Sequence, residues 1–448
     1  MCIICEGKYD ENMTELYCSN CTDLTAIPML PNLTDINCCN CTSLTKIPML
    51  SQLTKLCCTG CTSLMEIPML PKLTELSCTG CTSLTEIPML STLIKLFCGN
   101  CTSLTKIPVF PKLDKLYCEN CTSLTEIPTL SELTILYCSG CTSLTKIPML
   151  STLTTLRCSV CTSLTKIPML PELTDLSCSG CISLTEIPLF PKLIALFCSG
   201  CISLIEIPMF STLIMLDCYN CTGLTEIPIL SQLTKLYCYG CVDLTKISTL
   251  PKLTKLNCWN CTNLTKIPML LELIELDCDG CTNLTEIPML PKLTKLYCYG
   301  CANLTKISTL PKLTKLNCYN CTGLTEIPIL LELIELDCDG CTSLTEIPML
   351  PKLTKLYCNC CNSLTEIPEL PKLNELYCHD CPWIPQNPSF NFNIEKLKCL
   401  QHFCRNNLCY WRFRKWIKTR EFAEWFYSPN QWGGRACKRM IERVTKII

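Results

Sequence analysis

From residue 13 to about residue 381, apolar residues fall at the same places in every successive block of 20 residues, with no insertion. The block reads Leu-x-x-Leu-x-Cys-x-x-Cys-x-x-Leu-x-x-Ile-Pro-x-Leu-Pro/Ser-x. Leu293, Leu296, Cys298, Cys301, Leu304 and Ile307 are one instance. Leu296 and Cys298 alternate with Lys295 and Tyr297, the two-residue period of a strand, so a six-residue strand is expected over Leu293–Cys298. Twenty residues leave too little room for a strand, a full helix and two loops. The return path carries Ile-Pro-x-Leu in most blocks, and proline does not fit a helix interior. An extended or polyproline-like return, or a short 3-10 turn, is expected. Ser248 and Ser308 replace that proline in two blocks, so proline is favoured there without being required.

One such coil cannot bury its own apolar face, whereas coils stacked about 4.7–4.9 Å apart can. The pattern therefore predicts a solenoid with one parallel strand per coil and 19 strands, starting at residues 13, 33 and so on to 373. Residues 1–12 read as an N-terminal cap, with Ile4 in register with Leu24 and Leu44. After Cys381 the period stops. Pro382, Pro385 and Pro388 break the chain, and three helical stretches are expected, over 391–419, 420–427 and 435–447. Five of the six tryptophans lie in this region: Trp383, Trp411, Trp416, Trp425 and Trp432. The expected organisation is thus a cap (1–12), a solenoid (13–381) and a small helical C-terminal cap (382–448). In class it is an α/β repeat with a parallel sheet on its concave face.

The repeat resembles the leucine-rich repeat family, over about four-fifths of the chain. In that family the residue equivalent to Cys21, Cys41 and Cys61 is usually Asn or Cys. The resemblance implies that it turns inward after the strand and bonds backbone groups of neighbouring coils. The Ile-Pro-x-Leu-Pro return is similar to that of short-repeat bacterial effector proteins. It departs from theirs by one residue, since Leu here follows the ladder Cys by three positions and not two. A longer period overlies the first: residues 231–290 and 291–350 agree at 51 of 60 positions. Such agreement records copying of three coils and says little about function.

Cysteine is the compositional outlier, at 47 residues. Nineteen stand at 18, 38 and so on to 378, and nineteen more at 21, 41 and so on to 381. Sixteen residues separate successive pairs, which formally matches a two-knuckle zinc site. Buried reduced thiols explain the pattern better, because Cys is among the most buried residue types and both positions face inward. An odd total and the absence of an apolar N-terminal export segment agree with a reducing, cytoplasmic compartment. No metal or cofactor is assigned, and no 18-residue apolar run suggests a membrane span.

The positions free to vary are the outward ones, 15, 17 and 19 and their equivalents. In the first half many are small, with isolated aromatics at Phe97, Tyr117 and Phe197. From residue 217 onward Tyr219, Tyr237, Tyr239, Trp259, Tyr297, Tyr299 and Tyr319 accumulate, with acidic pairs Asp277/Asp279 and Asp337/Asp339. Exposed Tyr and Trp on a rigid sheet suit protein recognition, and these eleven residues form the expected partner-binding surface. Open-surface carboxylates with no histidine nearby do not make a catalytic pair: the only histidines are His379 and His402. No phosphate-binding glycine loop or nucleophile elbow is present. A non-enzymatic protein–protein interaction scaffold is therefore expected.

Charge divides the chain unevenly. Residues 382–448 hold 13 of the 38 Lys/Arg and 4 of the 39 Asp/Glu. Trp411–Lys418 mixes cations with aromatics, which would suit nucleic acid as well as a cap. Thr419–Tyr427 and Gly433-Gly434 resemble the C-terminal tails of repeat proteins from giant DNA viruses of amoebae, which implies a viral protein acting in host cytoplasm. Two other functions remain open at this stage. One is a substrate adaptor for ubiquitin ligation, although no F-box sequence is recognisable; the other is nucleic-acid binding through the basic tail.

Overall fold

A computed structural model of the protein describes residues 2–381, together with Trp425, Ser428, Arg435, Lys438 and Arg439. The expected helical cap over 382–448 lies outside the described residues except for those five. Trp425, Arg435, Lys438 and Arg439 have helical backbone, and Ser428 turns back to donate from N and Oγ to the Trp425 carbonyl, at 3.2 and 2.7 Å.

Residues 13–381 form a parallel β-solenoid. Nineteen strands, from Glu15–Tyr17 to Glu375–Tyr377, build a single parallel sheet in chain order. The register is constant at 20 residues: Leu16 pairs Ile36, Leu196 pairs Leu216, and Leu356 pairs Leu376. Each central strand residue points inward and, except for the half-buried Leu376 in the last strand, is buried. With it the two cysteines, the two loop leucines, the isoleucine and Leu30-type residues make one continuous core. A fully buried leucine contributes about 1.5–3 kcal/mol relative to an exposed one, so the coil repeat is also the repeat of stabilising free energy.

The strands are shorter than the sequence pattern suggests. Three residues, not six, are regular strand, as in Lys295–Tyr297 within the expected Leu293–Cys298. The cause is a turn at each end. Leu293 N donates to the Leu290 carbonyl at 3.2 Å, and a second turn follows at 299–300. Pairing between coils nevertheless runs past the strand: Cys38 N donates to Cys57 O at 2.8 Å and Asn40 N to Thr59 O at 2.6 Å. Position 19 therefore belongs to the turn, and only 15 and 17 are true outward strand positions.

The second turn requires a left-handed residue at position 20. Every coil has positive φ there, supplied by Asn in coils such as Asn20 and Asn100 and by Gly in coils such as Gly60 and Gly180. Asn and Gly tolerate that region because one carries a short side chain that bonds locally and the other has no Cβ. Val160, Cys360 and Asp380 are the exceptions that sequence reasoning passed over, and Val160 is the β-branched one among them, at φ 59°.

The return segments are extended, with no 3-10 turn among the described residues. In six places they touch through isolated parallel bridges such as Ala26–Lys46. In two places they widen into two-stranded sheets, Glu226–Ile227 with Lys246–Ile247 and Glu286–Ile287 with Lys306–Ile307. These are the two coils in which serine replaces proline. Ser248 N donates to Ile227 O at 2.9 Å and Ser308 N to Ile287 O at 3.0 Å. Proline has no N–H to offer, so the other coils cannot make this bond.

Residues 2–8 fold into a compact turn closed by Glu6 N to Cys2 O (3.0 Å) and Lys8 N to Ile3 O (2.9 Å). Cys2 and Ile4 are half-buried and pack against the core.

Replacing Val160 with glycine removes left-handed strain without removing a core contact. Val160→Gly is expected to raise the array's stability by roughly 1 kcal/mol, read as a higher urea midpoint. A lower midpoint would mean that the position carries no strain.

Candidate functional site: the outer face of the sheet

The coil geometry dictates what stands beside what on this face. Residues 20 apart are lateral neighbours on adjacent strands, so side chains of like kind at one position stack into rows. Inward, the same rule produces a thiol ladder. Each turn cysteine from Cys41 to Cys381 donates Sγ–H to the carbonyl of the strand-end cysteine one coil back, as in Cys61 to Cys38 O (3.0 Å) and Cys201 to Cys178 O (3.1 Å). The same carbonyl accepts the backbone N–H of its own turn cysteine, for example Cys41 N to Cys38 O at 3.3 Å. Both lone pairs of a buried oxygen are thereby used. Hydrogen bonding with the Cys81 thiol and full burial hold the Cys58 thiol well above the ordinary range, so it stays neutral at pH 7. None of the described cysteines is in a disulfide.

On the outer face the structure places all eleven residues expected from the sequence in two rows. Tyr237, Asp277, Tyr297 and Asp337 occupy the strand row at position 17. Tyr219, Tyr239, Trp259, Asp279, Tyr299, Tyr319 and Asp339 occupy the turn row beside it. Tyr219 stacks on Tyr239 with ring centroids 4.5 Å apart, and Tyr239 meets Trp259 at 6.1 Å. Tyr299 and Tyr319 form a second tilted pair at 5.1 Å. Among the rings of these eleven residues Trp259 (49% exposed), Tyr299 (43%) and Tyr319 (41%) are the most open. Between the rings, Lys255 pairs with Glu275 at 3.2 Å and Lys315 with Glu335 at 3.0 Å. These partly exposed pairs order the strand edge more than they stabilise it.

The acidic pairs are turned toward the protein. Asp279 Oδ1 accepts the Tyr299 N–H at 2.6 Å, and Asp339 Oδ1 accepts the Asn359 N–H at 2.6 Å. Asp277 accepts from Asn257 Nδ2 (3.1 Å) and Asp337 from Asn317 Nδ2 (3.3 Å). Their carboxylates therefore satisfy backbone and amide donors at the turn. Burial is the main cause that lifts Asp277 and Asp337 above the usual carboxylate range, and it raises Asp279 to about 6.

A further aromatic row lies where the sequence showed only isolated rings. Phe97 stacks on Tyr117 at 4.6 Å, Tyr117 meets Tyr137 edge-on at 5.0 Å, and the Arg157 guanidinium covers Tyr137 at 4.7 Å. The signal was available: 97, 117, 137 and 157 are one period apart. Phe97 also borders a depression of about 330 Å³ lined by Asp35, Asn37, Lys55, Cys57, Glu75 and Ser77. A second missed feature is a row of exposed methionines on the return side, among them Met29, Met49, Met149 and Met209.

No family model, curated protein or solved structure matches this chain. Among the described residues no helix is long and apolar enough to cross a membrane.

The raised Asp279 group sets a pH dependence. Unfolded, the carboxyl ionises near pH 4; folded, it holds its proton to about pH 6. The folded chain therefore binds more protons between those values, and stability falls as pH rises from about 4 to about 6. Asp279→Asn should flatten the urea midpoint across that window relative to the parent chain; an unchanged slope would count against the assignment.

Proposed function

We propose that this chain is a non-enzymatic scaffold of the leucine-rich repeat type that binds a protein partner on the outer face of its sheet. The observation that carries the reading is the contiguous row Tyr219–Tyr239–Trp259, continued after Asp279 by Tyr299–Tyr319. Rings in such a row are held by stacking and by a rigid 19-strand sheet, so binding orders few side chains. Tyr and Trp with open faces and polar tips supply large contact area at low entropic cost. The acidic pairs act in this reading as supports that fix the turns presenting the rings, with Asp277 and Asp337 in the strand row and Asp279 and Asp339 in the turn row.

The leucine-rich repeat assignment rests on the Leu-x-x-Leu-x-Cys-x-x-Cys pattern and on the ladder made by its second cysteine. The giant-virus resemblance of the 419–434 segment makes the cytoplasm of an infected host the expected compartment and a host protein the expected partner. Neither catalysis nor a cofactor enters this reading.

Simultaneous Tyr239→Ser, Trp259→Ser and Tyr299→Ser tests it. Partner capture from amoebal cytosol should be lost while the circular dichroism spectrum and urea midpoint stay close to those of the parent. Undiminished capture by the triple variant would overturn the assignment of this row.

A further inference from the structure

Cys21 is the one turn cysteine with no coil before it. Its eighteen successors each donate to a carbonyl one coil back; Cys21 has no such acceptor. It faces the N-terminal turn, where Cys5 Sγ lies 3.5 Å from Cys21 Sγ and Cys2 Sγ lies 3.7 Å from Cys5 Sγ. All three sulfurs lie within 4.8 Å of one another, and they are the only group of potential ligands among the described residues so arranged. We propose that Cys2, Cys5 and Cys21 form a three-thiolate zinc(II) site that pins the N-terminal cap to the first coil.

Geometry, access and placement support this. A tetrahedral zinc site with Zn–S near 2.3 Å places its sulfurs about 3.8 Å apart, close to the contacts seen here. The burial is graded: Cys21 is buried at the solenoid end, Cys2 is half-buried and Cys5 is exposed. The fourth position therefore faces solvent, where water completes the coordination. Binding converts three thiols to thiolates and releases three protons to the medium.

The repeat cysteines do not share this chemistry. Their turn thiols are committed to carbonyls, and their strand-end thiols are buried and neutral. The site is thus specific to the chain end, where an open solenoid needs closure and where a metal clip stabilises a turn too short to hold itself.

The test uses the full chain purified under reducing conditions from zinc-supplemented culture. Elemental analysis should find one zinc per chain, and cobalt(II) exchanged into the protein should show thiolate-to-metal charge-transfer absorption. Cys2→Ser/Cys5→Ser removes the two ligands outside the array and should lose both signals. The array's circular dichroism should be unchanged, and faster amide exchange should be confined to the first coils. Absence of bound zinc in the parent would overturn the proposal. So would an undiminished zinc content in the double variant, since the metal would then be held elsewhere.

Discussion

A buried carbonyl oxygen recurs once per coil, at the strand-end cysteine, and the structure depends on what is done with it. The chain leaves the strand and turns inward at that point, so the oxygen faces a dry interior, where an unpaired acceptor costs about 1–3 kcal/mol. A thiol from the next coil reaches it at 2.9–3.1 Å in coil after coil, as at Cys321 to Cys298 O and Cys101 to Cys78 O. Cysteine is small, neutral and apolar enough to sit in a leucine core while still carrying one donor. That combination explains why cysteine is so abundant here without any disulfide among the described residues, and why the period cannot drift. An insertion of one residue would separate the thiol from its oxygen and turn the strand's buried leucine outward.

The same lock determines where function can reside. Inward positions are committed to packing, and the return segments are occupied by proline and by bridges between coils. Variation is left to the outward strand position and the turn beside it, and a fixed register converts variation along the chain into rows across the sheet. A tyrosine gains a stacking partner only when the residue twenty positions away is also aromatic. The Tyr219–Trp259 row and the Phe97–Arg157 row are both consequences of that rule, although only the former was visible as a cluster in linear sequence.

The solenoid and its core were legible because a strict period leaves few ways to bury Leu16, Cys18, Cys21, Leu24 and Ile27 together. Strand length was not, because hydrophobic alternation continues through Leu293 and Cys298 into backbone that has already turned. The left-handed position was legible in principle from the Asn/Gly choice at residue 20 of most blocks, and Val160, Cys360 and Asp380 conceal it in three coils. The orientation of the Asp277/Asp279 and Asp337/Asp339 carboxylates was not legible, since their acceptance of amide protons depends on turn geometry. The Cys2–Cys5–Cys21 trio was hidden because two of its members fall outside the repeat, and only the folded cap carries them to the third.

Native-state hydrogen exchange on two variants of one mid-array rung tests the thiol ladder most directly. Cys201→Ala removes the donor to the Cys178 carbonyl, whereas Cys201→Ser keeps a hydroxyl donor in a similar space. The ladder account predicts a marked loss of amide protection in the coils around residues 178–201 for alanine and substantially less for serine. Equal protection in the two variants would contradict it and would reduce the cysteines to space-filling.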